Sequence, residues 1–239
     1  MEFNIFRNLG LHETQHTNLL KKFLYPRGQD VLFMNKFLEL NCKVDLQIES
    51  DRNFTFLPKK AGTGFVDIIF CVWNGNKKLT IIIENKSNQA GNQPNQLYRY
   101  WRHKIFKPEK ENFKKYCESR EISLNSINDE NLFDAHKQFQ KDENITQKYM
   151  LIYLTKKKEE GEKKYGNSKR RPDNPTYKKT KELLPTKLPF PVTELNYEEN
   201  ICNWLENCRK EIKQDEILSN VVEQYIKSIN SGFYKSKNV

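Results

Sequence analysis

Two spacings of apolar residues alternate along this 239-residue chain. Leu19, Leu20, Phe23 and Leu24 recur at helical spacing, so Glu13 to Leu24 is predicted to be a helix, stopped by Pro26 and Gly28. A second helix is expected at about Val31 to Leu40. The pattern then shortens: Phe54 to Leu57 reads as a short strand, Phe65 to Trp73 as a longer one, and Leu79 to Glu84 as its partner. Between the last two stands Asn74-Gly75, a dipeptide that accepts the positive φ angles of a tight hairpin turn. Tyr149 to Leu154 and Pro191 to Leu195 are further strands, and two helices follow near Glu198 to Ile212 and Glu216 to Ile229. Interleaved strands and helices predict an α/β fold with a mixed central sheet flanked by helices, folded as a single domain over residues 1–239.

Two stretches depart from this pattern. About 107–147 is highly charged and reads as helical in pieces. About 156–187 is dense in Lys, Arg, Pro, Gly and Asn and reads as a long basic loop.

Charge sharpens the picture. With 41 Lys+Arg against 31 Asp+Glu, the formal net charge is +10, a balance suited to a polyanionic partner. The five cysteines are widely spread, without CxxC spacing, which fits a reducing, cytoplasmic setting better than zinc or disulfides. No window approaches the ~18 apolar residues of a membrane span, so no membrane partner is expected.

The candidate chemistry lies in the hairpin. The run Ile81-Ile82-Ile83 is a buried strand that ends in Glu84-Asn85-Lys86. Strand side chains alternate, so Glu84 and Lys86 share a face. A two-residue turn at Asn74-Gly75 pairs Asp67 with Ile82 and leaves Glu84 on its diagonal. A four-residue loop from Asn74 to Lys77 sets Asp67 directly opposite Glu84. Both put Asp67, Glu84 and Lys86 on one face. Two converging carboxylates suit Mg²⁺, with Mn²⁺ as an expected substitute, and a neighbouring amine can orient or help deprotonate a metal-bound water and lies where negative charge accumulates. This is an inventory for phosphodiester hydrolysis. The competing interpretation, a solvated charge cluster at a strand end, is weakened by the apolar neighbours of Asp67, among which an unpaired carboxylate is costly.

At these residues the sequence resembles the PD-(D/E)xK nuclease superfamily. Asp67 matches the first acid of that motif and Glu84-Asn85-Lys86 its second part, while Val66 stands where the motif name has Pro. Gln96 and Tyr100 match the Gln-x-x-x-Tyr helix of the RecB-like branch. Glu13, His16 and "NLLKKFLYP" are similar to the opening of a bacterial family that reads "IENK" at its active strand. The resemblance implies a restriction-endonuclease-like core and a Mg²⁺-dependent nuclease in which Asp67, Glu84 and Glu13 serve the metal. It further implies that Lys86 acts near the reacting phosphate and that His16 contacts the metal or the phosphate. The helix after the active strand is expected to be capped by Asn92 or Gln93 with Pro94 in its first turn, and Gln96 and Tyr100, four apart on one face of it, are expected to position substrate.

Lys169, Arg170, Arg171, Lys178 and Lys179 in the basic loop are candidates for gripping backbone phosphates. The partner expected is nucleic acid, DNA before RNA, with defence against foreign DNA as the role the family suggests. Paired action on two strands favours a homo-oligomer or a partner protein, although no coiled-coil seam announces one. A non-catalytic binding module of the same fold and a ribonuclease acting on structured RNA are the rival functions.

Overall fold

The computed structural model describes residues 4–6, 13–26, 31–62, 64–87, 94–123, 129–142, 145–157, 169–171, 185 and 187–231. In chain order its strands are β1 (Phe54–Phe56), β2 (Lys60–Ala61), β3 (Gly64–Phe65), β4 (Ile68–Asn74), β5 (Lys77–Lys86), β6 (Gln147–Thr155) and β7 (Val192–Asn196). Five of them form a mixed central sheet in the order β1-β4-β5-β6-β7, and β2 and β3 pair as a separate ribbon. The first three sheet strands run antiparallel, and β6 and β7 continue from β5 in parallel.

Both faces of the sheet are covered, which explains why β5 reads as an unbroken apolar run rather than an alternating one. Ile68, Phe70, Val72, Ile81 and Ile83 pack on one side. There they meet helices α1 (Glu13–Leu24), α2 (Leu32–Phe37), α6 (Cys202–Glu211) and α7 (Glu216–Asn230), with Leu20, Phe37, Trp204 and Tyr225 among the buried contacts. On the other side Ile69, Ile82, Leu151 and Tyr153 pack against Leu97, Tyr98, Tyr100 and Trp101. These belong to α3 (Gln96–Tyr100), which runs through a π-helical stretch, Trp101–Phe106, into α4 (Lys107–Ser119). The charged stretch 107–147 therefore forms α4 and α5 (Asp129–Lys141), joined through Phe113, Cys117, Leu132, Ala135 and Phe139.

Three local expectations change. The strand predicted from Phe65 begins at Ile68: Phe65 belongs to the ribbon, and the chain bends at Asp67. The hairpin turn is centred on Gly75-Asn76 rather than Asn74-Gly75. Gly75 takes φ 57° at the first turn position, the place where a glycine-first hairpin turn needs it, and Asn74 pairs with Lys77. Finally, α3 starts at Gln96, after Pro94, while the expected caps Asn92 and Gln93 lie outside the described residues.

Candidate active site

The register of the hairpin, Ile68 opposite Ile83, sets Asp67 opposite Glu84, the closer of the two arrangements left open by the sequence. Asp67 sits just before β4, and its Oδ2 accepts the backbone N–H of Asn85 at 2.8 Å. The carboxylate thus takes over a main-chain partner where the two strands part. On β5, Glu84 is 1% exposed and Lys86 is also buried, both on the α3 side. The Lys86 ammonium lies 2.6 Å from Glu84 Oε1. That contact is a short, charge-assisted ion pair.

Asn85 points to the opposite side and pins the strand end there. Its Nδ2 donates to Thr17 Oγ1 at 2.9 Å, and its Oδ1 accepts from the Tyr197 hydroxyl at 3.2 Å and the Ser87 N–H at 3.2 Å. Nδ2 also approaches the Glu13 carbonyl at 3.5 Å. The start of α1 is thereby docked against the end of β5, close enough for the Glu13 charge to act on Lys86.

Gln96 and Tyr100 face Glu84 from α3. The Tyr100 hydroxyl is 2.7 Å from Glu84 Oε2 and 2.7 Å from the Phe65 carbonyl, and it accepts from Gln96 Nε2 at 2.7 Å. A phenol has one proton for two acceptors. When Glu84 is ionised the proton turns to Oε2. When Glu84 is protonated, its own proton occupies that contact and the phenol proton goes to Phe65.

The electrostatics follow from this crowding. Burial, and then the charge of Asp67, push the Glu84 carboxyl up to about 8 against the pull of Lys86 and Tyr100. Burial opposes the charge on Lys86, but Glu84, Glu13 and Asp67 outweigh it and hold the ammonium above the ordinary lysine range. Burial and the Glu84 charge also raise Tyr100, which stays a phenol. Lys86 is therefore held as a cation rather than a neutral amine.

His16 lies elsewhere. It is fully buried among the residues on the opposite side of the sheet from Glu84, with Nδ1 3.0 Å from the Tyr225 hydroxyl and its ring against Tyr197. Of the basic-loop candidates, Lys169, Arg170 and Arg171 are described, whereas Lys178 and Lys179 lie outside the described residues. Arg170 bridges to Lys187, and the Leu188 N–H donates to the Lys169 carbonyl at 2.7 Å. Tyr98 donates to the Pro185 carbonyl at 2.6 Å, which ties this segment to α3 on the side of the sheet that carries Glu84. Two further residues of the site, Asn85 and Phe65, escape sequence reasoning. The middle position of Glu-x-Lys signals Asn85 only by its parity on the strand, and nothing local signals Phe65.

A mixed sheet flanked by helices, with two acids facing each other across a hairpin and a lysine two residues on, defines a restriction-endonuclease-like α/β protein. A family model of the PD-(D/E)XK nuclease superfamily matches residues 3–227, and the chain belongs to that superfamily. Neither the curated proteins nor the solved structures compared with it give a match.

Proposed function

We propose that this chain is a Mg²⁺-dependent nuclease that hydrolyses phosphodiester bonds in DNA. The observation that carries the reading is the direct opposition of Asp67 and Glu84, with the Lys86 ammonium 2.6 Å from Glu84. Among the described residues no three His, Cys, Asp or Glu side chains are grouped closely enough to hold a metal. Mg²⁺ does not need three, because it takes one or two carboxylates and fills its other positions with water and phosphate oxygens.

The residues present fit such a cation. Asp67 and Glu84 are hard oxygen donors that repel each other, and Glu84 is buried where its own charge is penalised. They would hold the ion, with Glu13 nearby at the head of α1. A divalent ion bound there polarises the phosphoryl group and makes water a better nucleophile near neutral pH. Lys86 supplies a fixed positive charge beside the reacting phosphate, where negative charge grows as the bond breaks. Tyr100 and Gln96 orient Glu84. The pairing of His16 with Tyr225 supports a structural role for that histidine, which couples α1 to α7.

Lys169, Arg170 and Arg171, with Lys178 and Lys179, are proposed to grip backbone phosphates. The anchoring of the segment on α3 supports this. A role against foreign DNA is supported by the likeness of the Ile83-Glu84-Asn85-Lys86 strand to the bacterial "IENK" nucleases.

The test is a panel of plasmid, linear duplex and single-stranded DNA and RNA, each incubated with the purified chain in Mg²⁺ or EDTA. Cleavage of DNA in Mg²⁺ that stops in EDTA is the expected result. Cleavage confined to RNA overturns the choice of DNA, and intact substrate in every arm overturns the nuclease reading.

A further inference from the structure

Four large apolar side chains are exposed among the described residues: Ile5, Tyr25, Phe65 and Ile217. Tyr25 is stacked on Phe56, and Ile217 lies on α7. Phe65 is 67% exposed and stands two residues before Asp67, and its carbonyl lies 2.7 Å from the hydroxyl that also contacts Glu84. An apolar ring thus projects into solvent beside the acidic pair, with the Tyr100 hydroxyl between its backbone and Glu84.

Its mount is rigid. The ribbon that carries it meets the α3 helical stretch at both ends, where Lys104 Nζ donates to the Pro58 carbonyl at 2.6 Å and the Tyr100 hydroxyl lies 2.7 Å from the Phe65 carbonyl. The inner side of the ribbon lies so close to that helix that a Cβ at Gly62 would fall 2.6 Å from His103 Nε2, and one at Gly64 3.0 Å from Arg99 Nη2. Gly62 also has φ 66°, so the turn needs glycine for its backbone as well as for space. On the outer side, Lys60 pairs directly across from Phe65, and both side chains are exposed.

Resting on the nuclease reading above, we propose that Phe65 and Lys60 form a stacking platform for an unpaired nucleotide beside the cleaved bond. The preferred substrate is then single-stranded nucleic acid, or a duplex with a frayed or flapped end. A fixed aromatic ring offers its face to any base, and the lysine opposite it meets the neighbouring phosphate. Within an intact duplex both faces of each base are already covered by neighbours, so the ring gains nothing there. Phe65 is a positioning residue in this account: it places the strand and leaves the chemistry to Asp67, Glu84 and Lys86.

The experiment measures binding of the whole chain, in EDTA, to single strands of DNA and of RNA carrying 2-aminopurine and to a blunt DNA duplex of the same sequence. The same proteins are then assayed for cleavage in Mg²⁺. Phe65→Ala should weaken single-strand binding on the order of tenfold, raise KM more than it lowers kcat and abolish the stacking quench of 2-aminopurine. It should leave duplex binding unchanged. Phe65→Trp should restore binding and quench, and Phe65→Leu should not. Comparison of the DNA and RNA arms identifies the strand the platform favours. Unchanged single-strand binding in Phe65→Ala, an equal loss on the duplex, or full rescue by Leu overturns the platform while the nuclease reading stands. A wild-type chain that cuts nothing in Mg²⁺ overturns the nuclease reading, and the platform falls with it.

Discussion

The Tyr100 hydroxyl lies 2.7 Å from Glu84 Oε2, and Gln96 donates to the same hydroxyl from one helical turn earlier. The motif helix is therefore engaged with the acid of the motif strand. Tyr100→Phe should lower kcat by about 10- to 100-fold, the range seen when a group that orients a ligand is removed. It should also shift the Mg²⁺ dependence of cleavage to higher concentration, with a normal fold by circular dichroism. An unchanged Mg²⁺ titration would show that the phenol does not set the position of Glu84.

Asn85 supports the same strand from the other side of the sheet, through Thr17, Tyr197 and Ser87. Asn85→Ala leaves those buried partners without their bonds, and urea unfolding should show a loss of about 1–3 kcal/mol. A loss below about 0.5 kcal/mol, the level of an ordinary surface change, contradicts this role.

His136 gives the fold an acid sensitivity. The imidazole is stacked on Phe113 with ring centroids 3.9 Å apart, and neither ring nitrogen has a hydrogen-bond partner among the described residues. Burial pushes its pKa down to about 3 from an ordinary 6.5. Between those values the unfolded chain binds a proton that the folded chain refuses. This contribution is complete above pH 6.5 and is lost as the pH falls toward 3, at up to ~1.4 kcal/mol per pH unit. His136→Leu should retain about 2 kcal/mol more stability than wild type on going from pH 7 to pH 5. Equal losses in urea titrations of the two proteins would contradict it.

The hairpin strands are legible in the sequence because β-branched runs flanking Asn and Gly have few other conformations. Their register is not, since Asn74-Gly75 and Gly75-Asn76 are both acceptable turns and the backbone takes the glycine-first one. Alternation along the strand places Glu84 and Lys86 together correctly. Spacing on a helix tells that Gln96 and Tyr100 share a face but not what that face meets. The partner of His16 is Tyr225, 209 residues away, and no local signal carries such a pairing. The ribbon is invisible to pattern reading because two-residue strands have no periodicity.

If Lys169, Arg170 and Arg171 hold phosphates together with Lys178 and Lys179, replacing all five with Ser should weaken duplex DNA binding similarly across sequences. The slope of log K against log salt should become shallower by about 0.9 for every phosphate that is no longer neutralised. Identical slopes would make the segment a solvated surface.

Asp67, Glu84 and Lys86 form the hydrolytic centre in this account. That claim is tested most directly by the single-turnover cleavage rate in Mg²⁺ of wild type, Asp67→Ala, Glu84→Ala and Lys86→Ala, with circular dichroism to establish that each is folded. The account predicts cleavage by wild type and none above background by any of the three. A folded Glu84→Ala protein that cleaves at the wild-type rate would contradict it.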